Sequence, residues 1–241
     1  MAFTAFISDL HLTPGRAEIN RIFFDFLAGP ARQADALYIL GDLFEYWAGD
    51  DDLDDPLNAR VASGLQELVA AGVPVYLMHG NRDFLMLAGF TRASGARLLV
   101  DPTVVHLYGT PTLLLHGDTL CTDDTRYQAL RRKLRSRWRQ RVFLLQPLWL
   151  RHAEIQRGRG MSERAKQIKP AEIMDVTPAA VEQAFRDSGC TRMIHGHTHR
   201  PARHIHLVDG RSCERWVLSD WYQHGQYLQV GPTGCRSVEL A

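Results

Sequence analysis

Five apolar runs of strand length lead directly into side chains that can ligate a metal. This repetition constrains the chain more than any other feature. The runs cover residues 2–8 (AFTAFIS), 36–40 (ALYIL), 75–79 (VYLMH), 112–116 (TLLLH) and 192–195 (RMIH). They deliver, in order, Asp9-Leu10-His11, Gly41-Asp42, Gly80-Asn81-Arg82-Asp83, His116-Gly117-Asp118 and Gly196-His197-Thr198-His199. Between the first two runs, Ile19, Ile22, Phe23, Phe26 and Leu27 recur at helical spacing. Between the second and third, Val61, Leu65, Leu68 and Val69 do the same, until Gly72 and Pro74 stop the helix. This alternation predicts an α/β fold with buried strands. In such sheets ligands bind beyond the carboxyl ends of the strands, so the five ends are expected to converge.

Each fragment alone is weak, because an isolated Asp-x-His or Gly-Asp is usually a turn or a helix cap. Together they give seven candidate ligands: Asp9, His11, Asp42, Asn81, His116, His197 and His199. A mixed Asp, His and Asn set suits borderline divalent ions better than Ca²⁺ or a thiolate site. Seven side chains are too many for one ion and about right for two sharing a carboxylate. Two metals roughly 3.5–4 Å apart are the standard arrangement for displacement at phosphorus.

The four cysteines, Cys121, Cys190, Cys213 and Cys235, form no Cys-x-x-Cys pair. A disulfide framework or zinc knuckle is not expected, and a reducing, cytoplasmic setting is. The first residues lack a basic stretch ahead of their apolar run, and no run approaches the length of a membrane-spanning helix.

Charge is distributed unevenly. Residues 126–169 hold fourteen Lys and Arg against Glu154 and Glu163, a net +12, which leaves −11 on the rest of a chain whose total is +1. Within this insert Leu130, Leu134, Trp138, Val142, Leu145 and Trp149 recur at helical spacing, with Pro147 breaking the pattern. A basic amphipathic stretch reads either as a membrane-surface or anionic-ligand cap, or as a helix packed on the core with a cationic outer face. Trp138 and Trp149 could stack on bases, but nothing else supports a nucleic-acid partner. The acidic run Asp50-Asp51-Asp52-Leu53-Asp54-Asp55 is expected to be a solvated loop, and His195, His204, His206 and His224 are expected to be structural. Short runs around 204–208, 215–218 and 227–230 read as strands completing the sheet.

The ordered series Asp9-x-His11, Gly41-Asp42-Leu43-Phe44-Glu45, Gly80-Asn81-Arg82-Asp83, His116 and Gly196-His197-x-His199 resembles the calcineurin-like metallophosphoesterase superfamily. Its motifs span residues 9 to 199. Glu45 stands where many members have Asp, and Arg82 where most have His. These departures, with the runs ALYILGDLFEYWAGDDD, HGNRDF, HGDTLCTDD, IMDV and IHGHTHRP, resemble one branch, the UDP-2,3-diacylglucosamine pyrophosphatases of lipid A biosynthesis. The resemblance implies a two-sheet sandwich flanked by helices, with a core of 1–120 and 176–241 and a helical cap of 121–175. It implies cleavage of UDP-2,3-diacylglucosamine to UMP and 2,3-diacylglucosamine 1-phosphate by water activated between two Mn²⁺ ions, at the cytoplasmic face of an anionic inner membrane. One ion would take Asp9, His11, Asp42 and His199, and the other Asp42, Asn81, His116 and His197. Catalytic roles would fall to Asp42, Asn81, Arg82 and His197. Substrate contacts would come from Asn81, Arg82, Asp124, Ser162, Lys166, Lys169 and His197, with Lys166 standing where relatives often carry a small polar residue. No obligate protein partner is expected.

Arg82 has a chemical rationale of its own. With a pKa above about 12 it cannot protonate a leaving group. A pyrophosphate needs no such proton, because its leaving group is a phosphate that departs as a stable anion. A guanidinium fork supplies charge stabilisation instead. Otherwise Arg82 is a surface arginine paired with Asp83. Two rival functions remain: another dinuclear phosphodiesterase or nucleotide pyrophosphatase of the superfamily, against which Arg82 and the basic insert argue, and a non-catalytic scaffold, which would be expected to have lost ligands.

Overall fold

A computed structural model of the protein describes residues 2–168, 173 and 175–240. Its strands are β1 (Thr4–Ile7), β2 (Ala36–Ile39), β3 (Val75–Met78), β4 (Arg97–Leu99), β5 (Thr103–Leu107), β6 (Thr110–Leu114), β7 (Arg192–His195), β8 (Ala202–Val208), β9 (Arg211–Val217), β10 (Gly225–Gly231) and β11 (Gly234–Leu240). Its α-helices are α1 (Ala17–Ala28), α2 (Pro56–Ala70), α3 (Ala88–Ser94), α4 (Thr125–Leu134), α5 (Arg137–Leu144), α6 (Leu148–Ile168) and α7 (Pro178–Ser188).

The strands form two sheets, ordered β11-β10-β1-β2-β3-β4 and β5-β6-β7-β9-β8. The first is parallel from β1 to β4. In the second, β6, β7 and β9 are parallel neighbours. Strand alternation sets the layers. In the first sheet Ala5, Ile7, Leu37, Ile39, Val75 and Leu77 face one way and pack with Ile19, Ile22, Phe23, Phe26 and Leu27 of α1 and Val61, Leu65 and Leu68 of α2. Their alternates Phe6, Tyr38, Leu40 and Met78 face the second sheet and meet Leu114 and Ile194. The far face of that sheet, with Leu113, Met193 and Cys213, packs on Val181 and Phe185 of α7. The inter-sheet layer carries an aromatic ladder in which Phe6 stacks on Tyr38 at 4.9 Å and Tyr38 on Tyr76 at 4.7 Å.

The architecture is thus the two-sheet α/β sandwich with flanking helices that the sequence implied. The five ligand-bearing runs belong to both sheets: β1, β2 and β3 to one, β6 and β7 to the other. Their carboxyl ends meet at one rim of the sandwich. Elements that the sequence reading left unassigned are β4, β5, α3, α7 and β11. Among the described residues, no helix is long and apolar enough to cross a membrane.

Helix boundaries follow local chemistry. Asp55 caps α2, its Oδ1 accepting from the backbone N–H of Leu57 at 2.9 Å and Asn58 at 3.2 Å, with Pro56 in the first turn. Pro147 separates α5 from α6, as its missing N–H requires.

Phe6 is fully buried where both sheets meet. Phe6→Ala is expected to cost about 3–5 kcal/mol of unfolding free energy in urea titrations. A loss below about 1 kcal/mol would contradict the inter-sheet core.

Candidate metal centre

Three of the five strand ends, those of β1, β2 and β7, deliver their candidate ligands by a sharp reversal. Asp9, His11, Asp42, His197 and His199 all adopt positive φ, between 51° and 69°. They are five of the seven non-glycine residues that do so among those described. Such conformations cost energy in β-carbon residues and cluster where function over-determines the backbone. Backbone hydrogen bonds tie the loops together: Asp9 N–H donates to Gly41 O (3.1 Å), His11 N–H to Asp42 O (3.0 Å) and Gly196 N–H to His116 O (2.9 Å). Two glycines permit the close approach. A β-carbon on Gly80 would strike the Asp42 carboxylate, and one on Gly196 would strike Asp9 Oδ2 and Ser8 Oγ.

The strand ends bring all seven predicted ligands to one buried place. His199 Nε2 lies 3.3 Å from Asp9 Oδ1 and 3.5 Å from His11 Nε2. Asp42 Oδ2 sits almost equally far from His11 Nε2 (4.0 Å) and His116 Nε2 (3.9 Å). His116 Nε2 faces Asn81 Oδ1 at 3.1 Å. The His197 ring is 5.0 Å from that of His116, and its backbone N–H donates to Asp9 Oδ2 at 2.8 Å. Two groups have ligand atoms within 4.8 Å of one another: Asp9, His11 and His199, and Asp9, Asp42 and His116. Asp9 therefore reaches both groups, and Asp42 lies between their histidines.

The electrostatics are those of a cage built for cations. Burial opposes charge on His116, but Asp42, Asp9 and Asp118 outweigh it and push its pKa up to about 9. Burial raises Asp42 to about 7 against the pull of His116. Asp9 is also buried, yet its bond to His199 and the nearby imidazoles hold it well below the usual carboxylate range. Burial, then the charge of His116, lowers His197 to about 3, so its ring is neutral and keeps a lone pair.

These residues fit a metal. His116 Nδ1–H donates to Leu40 O at 2.9 Å, which leaves Nε2 to point its lone pair at the same space as Asn81 Oδ1. A metal ion bound by both, or a proton on Nε2 in its absence, satisfies this pair. Asp9 Oδ1 is likewise buried and meets only the His199 ring at 3.3 Å, which leaves it room for a further partner. The donors are imidazole nitrogens, carboxylates and an amide oxygen, the set that suits divalent first-row ions.

A family model described as calcineurin-like phosphoesterase matches residues 4–201. The chain belongs to the calcineurin-like phosphoesterase family. Curated relatives are similar over nearly the whole length. A protein of Aromatoleum aromaticum named UDP-2,3-diacylglucosamine hydrolase is 52% identical over 95% of this chain and 93% of its own. Proteins of the same name from Cellvibrio japonicus and Xanthomonas campestris pv. campestris are 50% and 49% identical, over 96% of both chains and 99% of both chains respectively.

Around the phosphoesterase ligands lies a shell that the sequence reading largely missed. Glu45 Oε2 approaches His11 Nδ1 at 3.6 Å, and its Oε1 lies 3.4 Å from Arg82 Nη1 and 2.7 Å from Arg159 Nη2. One carboxylate so orients a ligand ring and gathers two guanidinium groups beside the centre. The expected alternative pairing of Arg82 with Asp83 does not occur, because Asp83 is buried and accepts from the backbone N–H of Leu43 and Gly80, both at 2.8 Å. Glu45 was visible as a departure from the family series, but nothing local indicated its partners.

The basic insert forms α4, α5 and α6 and is fixed to the core by paired charges. Arg131 Nε donates to Asp118 Oδ2 at 2.6 Å, Tyr127 Oη donates to the same oxygen at 2.8 Å, and the Tyr127 ring stacks on His197 at 6.0 Å. Arg135 Nη2 reaches Gly80 O at 2.9 Å. The acidic run 50–55 is solvated only in part, with Asp51 and Asp54 exposed and the rest drawn into contacts. Asp50 accepts from the backbone N–H of Leu87 and Gly89, Asp51 pairs with buried Arg151, and Asp52 lies 3.2 Å from His152. This run is part of the core's negative complement to the insert. Asp124, expected among substrate contacts, caps α4 by accepting from Tyr127 N–H at 3.0 Å. The side chains of Ser162 and Lys166, and all of Lys169, lie outside the described residues. His195 is structural as expected. Its Nδ1–H donates to Gly196 O at 2.8 Å and its Nε2 accepts from Arg215 at 3.0 Å.

The two raised pKa values predict how the metal-free protein responds to pH. Asp42 and His116 both hold protons more tightly folded than unfolded, where their values are about 4 and about 6.5. The stability they contribute is present below those values and is lost as pH rises through about 7 and about 9. Chelated protein should therefore melt at progressively lower temperature from pH 6.5 to 9. With excess Mn²⁺ the trend should reverse, because a metal takes the place of the proton. Thermal melting that is flat with pH in chelator would contradict the electrostatic reading.

Proposed function

We propose that this phosphoesterase hydrolyses the pyrophosphate bond of UDP-2,3-diacylglucosamine, releasing UMP and 2,3-diacylglucosamine 1-phosphate. Its cofactors in this reading are two Mn²⁺ ions, and it works at the cytoplasmic face of the inner membrane. The observation that carries the substrate is the match, at about half identity and over at least 93% of each relative, to proteins named for it.

Asp9, His11, Asp42 and His199 would hold one ion, and Asp42, Asn81, His116 and His197 the other. Bound there, the ions would activate a water and neutralise charge on the phosphoryl oxygens. Arg82 is placed by Glu45 beside the centre, with its side chain 13% exposed. Its remaining donors are free to turn toward a phosphate leaving group and to stabilise its charge, which an arginine does without giving up a proton. His197 is kept neutral by burial and held beneath the Tyr127 ring.

The lipid half of the reading rests on the surface of the insert. Leu130, Leu134, Trp138, Val142, Leu145 and Trp149 are all exposed, Trp138 at 70%, Leu145 at 85% and Trp149 at 71%. Those exposures argue against the alternative that this stripe packs on the core. An exposed apolar stripe among clustered arginines suits acyl chains and an anionic membrane surface.

The test is a hydrolysis assay on UDP-2,3-diacylglucosamine. UMP should appear with Mn²⁺ and cease on chelation, while bis-p-nitrophenyl phosphate turns over poorly. The reverse substrate order would sink the reading. Trp138→Ala and Trp149→Ala should keep the melting temperature, since neither ring is core. Each should lower kcat/KM on the diacylated substrate more than tenfold, worth about 1.4 kcal/mol. Equal losses on a deacylated analogue would rule out an acyl-chain role.

A further inference from the structure

Tyr222 stands at the rim of the metal centre, and none of the roles above uses it. It is 47% exposed, one of the few large rings outside the insert that is so open. Its centroid lies 5.4 Å from that of His11 and 5.5 Å from that of His199. The Arg16 guanidinium sits over it at 4.8 Å. Among the described residues, its ring neighbours are these core groups and none from α4–α6.

The platform is rigid. Arg16 donates to the carbonyl oxygens of Leu10 (3.0 Å), His11 (3.2 Å) and Trp221, tying the β1 end to the chain just before Tyr222. Trp221 is fully buried. Its backbone N–H donates to Asp9 O at 3.1 Å and its Nε1–H to Gln226 O at 2.9 Å. Tyr222 therefore cannot drift relative to Asp9 and His11. A ring fixed in this way loses little entropy when a ligand covers it.

A pyrophosphate diester extends from the metal centre in two directions. The Tyr127 ring of α4 and Arg135 just after that helix cover the His197 and Gly80 side, and the exposed apolar stripe belongs to that insert. Tyr222 touches the other pair of candidate ligand rings, His11 and His199, on the side away from Tyr127 and Arg135. Its surroundings are charged, with Arg16 over the ring and Asp220 3.7 Å from His199 Nδ1. Such a place suits a flat, polar π-system better than a hydrocarbon chain, and base-on-aromatic stacking needs no sequence of hydrogen bonds.

We propose that Tyr222 is the stacking platform for the nucleobase of the substrate, so that a pyrimidine nucleoside phosphate has its phosphate at the centre and its base on the exposed part of this ring. The inference rests on the nucleotide-lipid reading for its place in the reaction, but its binding test does not. Isothermal titration of the Mn²⁺-loaded protein with UMP and with ribose 5-phosphate separates the base from the phosphate. Wild type should bind UMP at least tenfold more tightly than ribose 5-phosphate. Tyr222→Ala and Tyr222→Leu should lose that difference, and Tyr222→Phe should keep it. Ribose 5-phosphate should bind all four proteins alike. Tyr222→Leu retains apolar bulk over His11 and His199, so a variant with normal UMP binding there would show that the ring only shields its neighbours and would overturn the proposal. An equal loss of both ligands in Tyr222→Ala would do the same. Hydrolysis of UDP-2,3-diacylglucosamine measured alongside keeps the two readings apart. Turnover without Tyr222-dependent UMP binding sinks this inference alone. Tyr222-dependent UMP binding without turnover sinks the lipid substrate alone.

Discussion

His116 Nε2 and Asn81 Oδ1 face each other at 3.1 Å, with the buried Asp42 and Asp9 carboxylates beside them. The two carboxylates and the imidazole lone pairs concentrate acceptors in one place that burial keeps from bulk solvent. A positive charge must sit among them. In the metal-free protein it is a proton, which is why His116 holds one up to about pH 9. The centre is therefore costly to fold and strongly disposed to bind a divalent ion, and the rest of the molecule is organised to bear that cost.

Two sheets share the load. Asp9, Asp42 and Asn81 follow strands of the first sheet, and His116, His197 and His199 follow strands of the second. The aromatic ladder of Phe6, Tyr38 and Tyr76 packs between the sheets three to five residues ahead of Asp9, Asp42 and Asn81. Positive φ at five ligands is sustained because each loop is hydrogen-bonded to its neighbour and closed by glycine where a β-carbon would collide. Packing in the sandwich thus becomes precision at its rim.

Much of this was legible in the chain. The five apolar runs coincide with β1, β2, β3, β6 and β7 to within two residues, because buried strands leave a continuous hydrophobic signal. The seven candidate ligands stand out in the sequence because each lies within four residues of the end of such a strand. Contacts made by long side chains across great sequence distance were not. Glu45 to Arg159 spans 114 positions and Arg151 to Asp51 spans 100, and neither leaves a periodic trace. The acidic run 50–55 looked like a solvated loop for the same reason: the partners of Asp51 and Asp52 lie in the insert and those of Asp50 beyond β3. Edge strands such as β11, half polar and half exposed, resemble loops in sequence. Tyr222 carries no motif at all, and only its neighbours in space make it a candidate.

The account stands on the claim that this cluster is a dinuclear centre and not a network of protonated histidines. Anomalous diffraction from crystals grown with Mn²⁺, collected near the manganese edge, tests it directly. Two peaks about 3.5–4 Å apart are expected, both within bonding distance of the Asp42 carboxylate. One would lie against Asp9, His11 and His199, the other against Asn81, His116 and His197. A single peak, or peaks that leave Asp42 unligated, would contradict the arrangement at its centre.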